Sequence, residues 1–181
     1  MKTNQGHRIV VMGVSSCGKT EIGQRLAARL EGRFLDGDDY HSEASVAKMS
    51  RGEPLNDDDR AGWLARLSEI LGEARAAGET LVVGCSSLKR RYRDTLREGD
   101  PALTFVYLCG SRELLLERIQ SREDHFFKGE AMLDSQLATL EAPGPDEAVT
   151  VDIDASIETV VERATEALTE RYARQADSAA S

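Results

Sequence analysis

The stretch Arg8-Ile-Val-Val-Met-Gly-Val-Ser-Ser-Cys-Gly-Lys-Thr20 decides the fold. Its first half is an apolar, β-branched run, which predicts a buried strand over 8–14. Its second half, from Gly13 to Thr20, matches G-x-x-x-x-G-K-[ST]. Residues 19–30 then place Ile22, Leu26 and Leu30 on one helical face. A strand, a glycine-bounded turn and a helix in that order form the context a phosphate-binding loop requires. Gly13 and Gly18 permit a backbone path in which the N–H groups of Val14, Ser15, Ser16 and Cys17 converge on an anion. The helix opening at Lys19 adds the positive end of its dipole. Lys19 is expected to reach the β- and γ-phosphates of ATP, and the Thr20 hydroxyl to ligate Mg²⁺.

The rest of the chain repeats the alternation. Further strands are predicted over 33–36, 80–84, 103–108 and 149–153. Helices are predicted over 42–50 (capped by Ser42), from Asp57 or Asp58 to Gly78, from Ser86 or Ser87 to about 98, from Ser111 to about 122, over 132–140 and over 157–173. Trp63, Leu64, Leu67, Ile70 and Leu71 share the apolar side of the longest internal helix, so Trp63 reads as core. A polar stretch covers 123–131, and residues 174–181 should fray. The strands are apolar runs rather than alternating patterns, so both faces are expected to be covered. This predicts one α/β domain over 1–173 around a five-stranded, mostly parallel sheet.

Charge and cysteine usage narrow the function. The 181 residues carry a formal net charge of −9, which argues against nucleic acid and against an anionic membrane surface. No apolar run approaches a membrane span, and the run after Lys2 and Arg8 is too short for a secretion signal. Cys17, Cys85 and Cys109 lack paired spacing, which predicts a reducing, cytoplasmic setting without disulfide or zinc. Cys85 and Cys109 read as small buried thiols. Cys17 has two readings: a thiol activated by the helix start and Lys19, whose alkylation would block ATP, or an inert small residue.

The segment FLDGDDYH, 34–41, packs Asp36, Asp38 and Asp39 just past the second strand. In an open α/β sheet that is the edge where ligands bind. The third and fourth strands end in Gly84-Cys85-Ser86 and Cys109-Gly110, so neither supplies a carboxylate for a metal. Asp152 and Asp154 adjoin a helix start, where capping accounts for them. Asp36 can fill the metal role, directly or through water. Asp38 can accept hydrogen bonds from a substrate hydroxyl and take its proton. Carboxylates suit metals and alcohols better than phosphates, so the cluster points to phosphoryl transfer onto a hydroxyl. A merely solvated turn is the competing reading. No N/T-K-x-D guanine motif is present.

Six blocks in order carry a family resemblance: GVSSCGKT (13–20), FLDGDDYH (34–41), KMSRGEPLNDDDR (48–60), CSSLKRRYRD (85–94), FVYLCGS (105–111) and DHFFKGEAMLDSQLATLEAPGPDE (124–147). With these the chain resembles the gluconokinases, which phosphorylate D-gluconate with ATP, over about 8–154. The resemblance implies a P-loop kinase fold of three layers with strand order 2-3-1-4-5, a mobile lid at about 123–131, and a homodimer. It also implies substrate contacts at Asp38 and Arg60, with Asp36 on the metal side. A guanidinium at Arg60 suits the acid's carboxylate. Lys48, Lys89, Arg90 and Arg93 are further candidates, although the basic run KRRYR also reads as an exposed helix face. An anion could also meet the helix start expected at Ser86-Ser87. His41 has two readings, a substrate contact or a structural histidine. Arg118 and Arg122 share a helix face leading into the lid; in related kinases such arginines stack on adenine or clamp phosphate, with surface ion pairing as the alternative. His125 and Lys128 could join them on lid closure. The family loop commonly has Gly where this chain has Ser16, which strains the backbone if that position needs a positive φ. Two other functions stay open: a kinase of this fold for another polyol or acid such as shikimate, and a non-catalytic nucleotide sensor.

Overall fold

The structure is a computed structural model and describes residues 6–121 and 126–180. Its centre is a parallel sheet of five strands: β1 (Arg8–Met12), β2 (Arg33–Asp36), β3 (Leu81–Gly84), β4 (Thr104–Cys109) and β5 (Ala148–Asp152). The order is β2-β3-β1-β4-β5, and every pairing is parallel, as the resemblance implied. The helices are α1 (Lys19–Arg29), α2 (Glu43–Ser50), α3 (Asp57–Ala76), α4 (Arg90–Gly99), α5 (Arg112–Gln120), α6 (Phe126–Thr139) and α7 (Ile157–Ala180).

Although β1 is apolar throughout, its pleat still sorts it. Ile9 and Val11 enter a core with Leu26 of α1, Leu115 of α5 and Leu168 of α7. Val10 and Met12 enter a second core with Trp63, Leu67 and Leu71 of α3 and Leu96 of α4. Both faces are therefore covered, as the uninterrupted apolar runs predict.

Register fixes the functional edge. Val11 and Asp36 both pair with Gly84, from opposite sides of β3. The loop leaving β1 and the acidic turn leaving β2 thus stand on one edge, separated by two strand spacings, about 10 Å. In the loop, Gly18 takes φ 94, a left-handed geometry suited to glycine. Ser16 takes φ 66, so the position does require the conformation that an L-residue resists.

Several boundaries differ from the sequence reading. The helix α3 is capped by Asn56, not Asp57 or Asp58; Asn56 and Asp59 form a reciprocal capping box. The helix α4 begins at Arg90 rather than beside Ser86 and Ser87, and the Arg90 N–H is taken by Glu141 Oε1 at 2.8 Å. An anion therefore finds no helix start at Ser86-Ser87. The helix α6 begins at Phe126, so it takes in residues assigned to the polar stretch. The helix α7 continues to Ala180 with its last turns exposed, past the expected end at 173.

Arg93 is the main correction to the candidate site. Its side chain is 1% exposed and its guanidinium serves the carboxylate of Glu147 and the carbonyls of Ser87, Leu88 and Glu141. Every nitrogen is engaged, so Arg93 locks the segment before α4 to the segment before β5 and is not a substrate contact. Burial alone would push the Glu147 carboxyl up; the guanidiniums of Arg93 and Arg97 outweigh it and hold it below its usual value.

Two outcomes follow from these contacts. Arg93→Ala leaves Glu147 with Arg97 alone and takes the donor from the carbonyls of Ser87, Leu88 and Glu141, and should lower unfolding free energy by about 3 kcal/mol in urea melts at pH 7. The loss should shrink as pH falls below about 4, because the depressed Glu147 carboxyl is protonated only there and its pairing with Arg93 then ends. Ser16→Gly should raise unfolding free energy by about 1 kcal/mol by the same measurement, by relieving the positive φ.

Candidate active site

The phosphate loop is held by its own atoms. Lys19 Nζ donates to the carbonyl oxygens of Gly13 and Val14 at 3.0 and 3.1 Å, and the Gly13 N–H donates to Ser86 O at 3.3 Å. The Ser15 N–H donates to Oε1 of Gln136, a side chain from α6. Arg118 of α5 donates from Nη1 to Cys17 O at 3.4 Å and from Nη2 to Ile153 O at 2.9 Å. The sequence reading expected Arg118 at the nucleotide; it lies against the loop. Gln136 was missed, since no motif marks a glutamine that reaches the loop from the far end of the chain.

Cys17 is 1% exposed and belongs to the core. Burial pushes its thiol up, against the opposing pull of Lys19. Burial favours the inert reading of Cys17 over the activated thiol: the helix start and the lysine are present, but desolvation outweighs them. Cys85, fully enclosed at the end of β3, is pushed up to about 11 by burial.

Beyond β2, residues Gly37–Tyr40 make one 3₁₀ turn. Asp36 caps it, its Oδ1 accepting from the Asp38 N–H at 3.0 Å. Two contacts seat the turn. A side chain at position 37 would bring its Cβ within 2.6 Å of Gly84 O, so only glycine lets the turn lie against β3. Trp63 Nε1 of α3 donates to Gly37 O at 2.7 Å. His41 stacks on the Trp63 ring at 4.1 Å, with its Nε2 3.5 Å from Asp38 Oδ1. His41 Nδ1 is buried and has no hydrogen-bond partner among the described residues. The structural reading of His41 thus has direct contacts behind it.

Asp38 itself is exposed. The hydrogen bond from His41, joined by the charges of His41 and Lys19, holds its carboxyl below the usual carboxylate range. Asp38 is therefore ionised at neutral pH. Asp36 and Thr20 line one cleft of about 370 Å³, together with Gln24, Arg33, Asp39 and Tyr40. Those two oxygen donors fit a hard divalent ion that draws its other ligands from phosphate and water. Among the described residues no group of three or more His, Cys, Asp or Glu could hold a metal ion unaided.

The basic candidates gather around α3. Arg60 precedes Trp63 by about one turn and so lies on the same side of the helix. Its Nη1 donates to the Tyr92 hydroxyl at 3.2 Å. Lys89 Nζ lies 3.9 Å from Asp57 Oδ1, and Lys48 Nζ donates to Asp59 Oδ2 at 2.7 Å. Arg91, absent from the sequence candidates, also pairs with Asp57. Arg122 and His125 lie outside the described residues. The helix α6 is fastened to α5 by Arg112, which bonds Asp134 at 2.7 and 3.0 Å and Glu130 at 3.1 Å.

Comparison with known proteins agrees with this arrangement. The shikimate kinase family model matches residues 15–172. The chain is 44% identical over 162 residues to the thermoresistant gluconokinase of Escherichia coli (strain K12), covering 88% of this chain and 92% of that protein. It is 50% identical over 141 residues to the gluconokinase of Gluconobacter oxydans (strain 621H), covering 78% and 79%. The crystal structure of a gluconokinase from Sinorhizobium meliloti 1021 superposes with a TM-score of 0.86 at 41% identity, covering 96% of this chain and 98% of that one. With the loop, the acidic turn and the strand order all in place, the chain belongs to the gluconokinases, within the wider shikimate kinase family of P-loop kinases.

Proposed function

We propose that this protein transfers the γ-phosphoryl group of ATP to the terminal hydroxyl of D-gluconate, giving 6-phospho-D-gluconate. The observation that carries this reading is the shared sheet edge: Val11, leading into the phosphate loop, and Asp36, opening the acidic turn that holds Asp38, both pair with Gly84. A phosphate loop alone would serve hydrolysis. A carboxylate facing it repels phosphate but orients an alcohol, and a guanidinium farther along α3 suits an acid.

Lys19 leaves the Gly13 and Val14 carbonyls and turns to the β- and γ-phosphates, while the N–H groups of the loop from Val14 to Thr20 line the phosphate chain. That requires the Ser15 N–H to exchange Gln136 for nucleotide. Thr20 and Asp36 would hold Mg²⁺, which when bound neutralises charge developing between the β- and γ-phosphates. Asp38 accepts the hydrogen bond of the attacking hydroxyl. The new bond forms from that oxygen to phosphorus as the bond from phosphorus to the ADP oxygen breaks, and the hydroxyl proton passes to Asp38 and on to solvent. A loose transition state asks for little basicity, so a carboxylate with a depressed pKa suffices. Arg118 steadies the nucleotide. Arg122, with His125 and Lys128, is assigned to a lid at about 123–131 that closes over the phosphoryl group and excludes water. Lys48 and Lys89 are assigned to the acceptor side, His41 to holding Asp38. A cytoplasmic, homodimeric enzyme that binds neither nucleic acid nor membrane completes the reading. Its support is the acidic charge, the unpaired thiols and the family; among the described residues no helix is long and apolar enough to cross a membrane.

The match to the shikimate kinase model makes shikimate the acceptor to compare. In a coupled assay of ADP release, gluconate should give the highest kcat/KM among gluconate, shikimate and a neutral hexitol. Faster transfer to shikimate, or no acceptor-dependent ADP, would overturn the reading. Asp38→Asn should lower kcat by about 10²–10⁴-fold with ATP affinity retained. In the wild type, the part of the pH profile due to Asp38 should fall only below about pH 4, because the active form is the carboxylate and its pKa is depressed. Arg60→Gln should raise the gluconate KM about 10–100-fold and spare the KM for ATP.

A further inference from the structure

Tyr92 sits in the first turn of α4 with its ring in the core beside α3, 6% exposed. Its hydroxyl makes two bonds of fixed polarity. It donates to Asp57 Oδ1 at 2.7 Å, since a carboxylate only accepts, and so receives from Arg60 Nη1 at 3.2 Å. Around the same ring stand three cations: Arg60 Cζ at 5.5 Å, Arg91 Cζ at 5.6 Å and Lys89 Nζ at 5.7 Å from the centroid. The carboxylate facing this group is Asp57, which meets both Lys89 and Arg91. Asp59 also acts on Arg60 and pairs with Lys48, so four cations meet two carboxylates and leave an excess that an anion would relieve.

The hydrogen bonding of Arg60 says where that anion goes. One terminal nitrogen is spent on Tyr92, and neither Nε nor Nη2 bonds any other described residue. One edge of the guanidinium fork is thus anchored and the other is open, the geometry for receiving a carboxylate through two parallel bonds. The aromatic anchor also removes rotamer freedom from a long side chain before the ligand arrives.

We propose that Tyr92 is a positioning residue: through its hydroxyl it presents the open edge of Arg60 to the carboxylate of the sugar acid, and so sets the preference for acids over neutral polyols. The proposal rests on the reading of the site as an acceptor site for a hydroxy acid. The segment KRRYR is then a mixed device, in which Arg93 turns inward to lock the fold while Arg91 and Tyr92 serve the anion subsite.

The test is a double-mutant cycle on the full chain, with Tyr92→Phe, Arg60→Gln and the pair, because phenylalanine keeps the ring and deletes only the hydroxyl. Tyr92→Phe should raise the gluconate KM about 5–20-fold, leave the KM for ATP within about twofold, and leave transfer to a neutral hexitol unchanged. In the Arg60→Gln background the same change should shift the gluconate KM by less than about twofold, since the hydroxyl has no guanidinium left to direct. An equal rise in both backgrounds, a matching loss with the neutral hexitol, or no rise in either background would overturn the proposal. A wild-type enzyme that uses another carboxylated acceptor in place of gluconate would overturn the substrate reading instead, and the same cycle run on that acid would still decide the role of Tyr92.

Discussion

The site depends on a constraint of register: β3 lies between β1 and β2, and Gly84 pairs with both Val11 and Asp36. Parallel pairing carries both chain ends off the same edge, so a loop built for phosphate and a turn built of carboxylates are held about two strand spacings apart. At contact the two would be incompatible. At that separation a phosphoryl group, a divalent ion and a hydroxyl fit between them. The glycine at 37 lets the turn settle onto the sheet, and the Trp63–Gly37 hydrogen bond fixes its orientation. The proposed acceptor subsite lies past Trp63, where Arg60 of α3 meets Tyr92 of α4.

Charge explains why an acidic protein can handle two anions. The net charge of −9 supplies no general attraction for ATP or a sugar acid. On the proposed reading, recognition is instead confined to loop N–H groups, Lys19 and Arg118 at one end and the cations around Tyr92 at the other. Asp36 and Asp39 line the cleft beside Thr20, a negative lining that suits a metal ion.

Much of this was legible in the sequence, for physical reasons. The loop, the strand ahead of it and the acidic turn are local features, dictated by glycine geometry, β-branched runs and carboxylate spacing. Strand order came from resemblance, because several orders satisfy the same alternation of strands and helices. What escaped were pairings between residues far apart in the chain. Arg93 and Arg91 look alike in KRRYR, and only the position of Glu147 sends one inward. Gln136 meets Ser15 because α6 folds back on the loop, and Cys17 has every local sign of an activated thiol except exposure. The true start of α4 depends on Glu141, again a distant partner.

The proposed reaction requires the acceptor hydroxyl to lie between Asp38 and the phosphate loop, with the acid group pointing toward Arg60. Paramagnetic relaxation of gluconate protons by Mn²⁺ bound with a non-hydrolysable ATP analogue measures this directly. The protons on the terminal carbon should relax fastest and those beside the carboxylate slowest. Relaxation strongest beside the carboxylate, or the same along the whole chain of the acid, would contradict it.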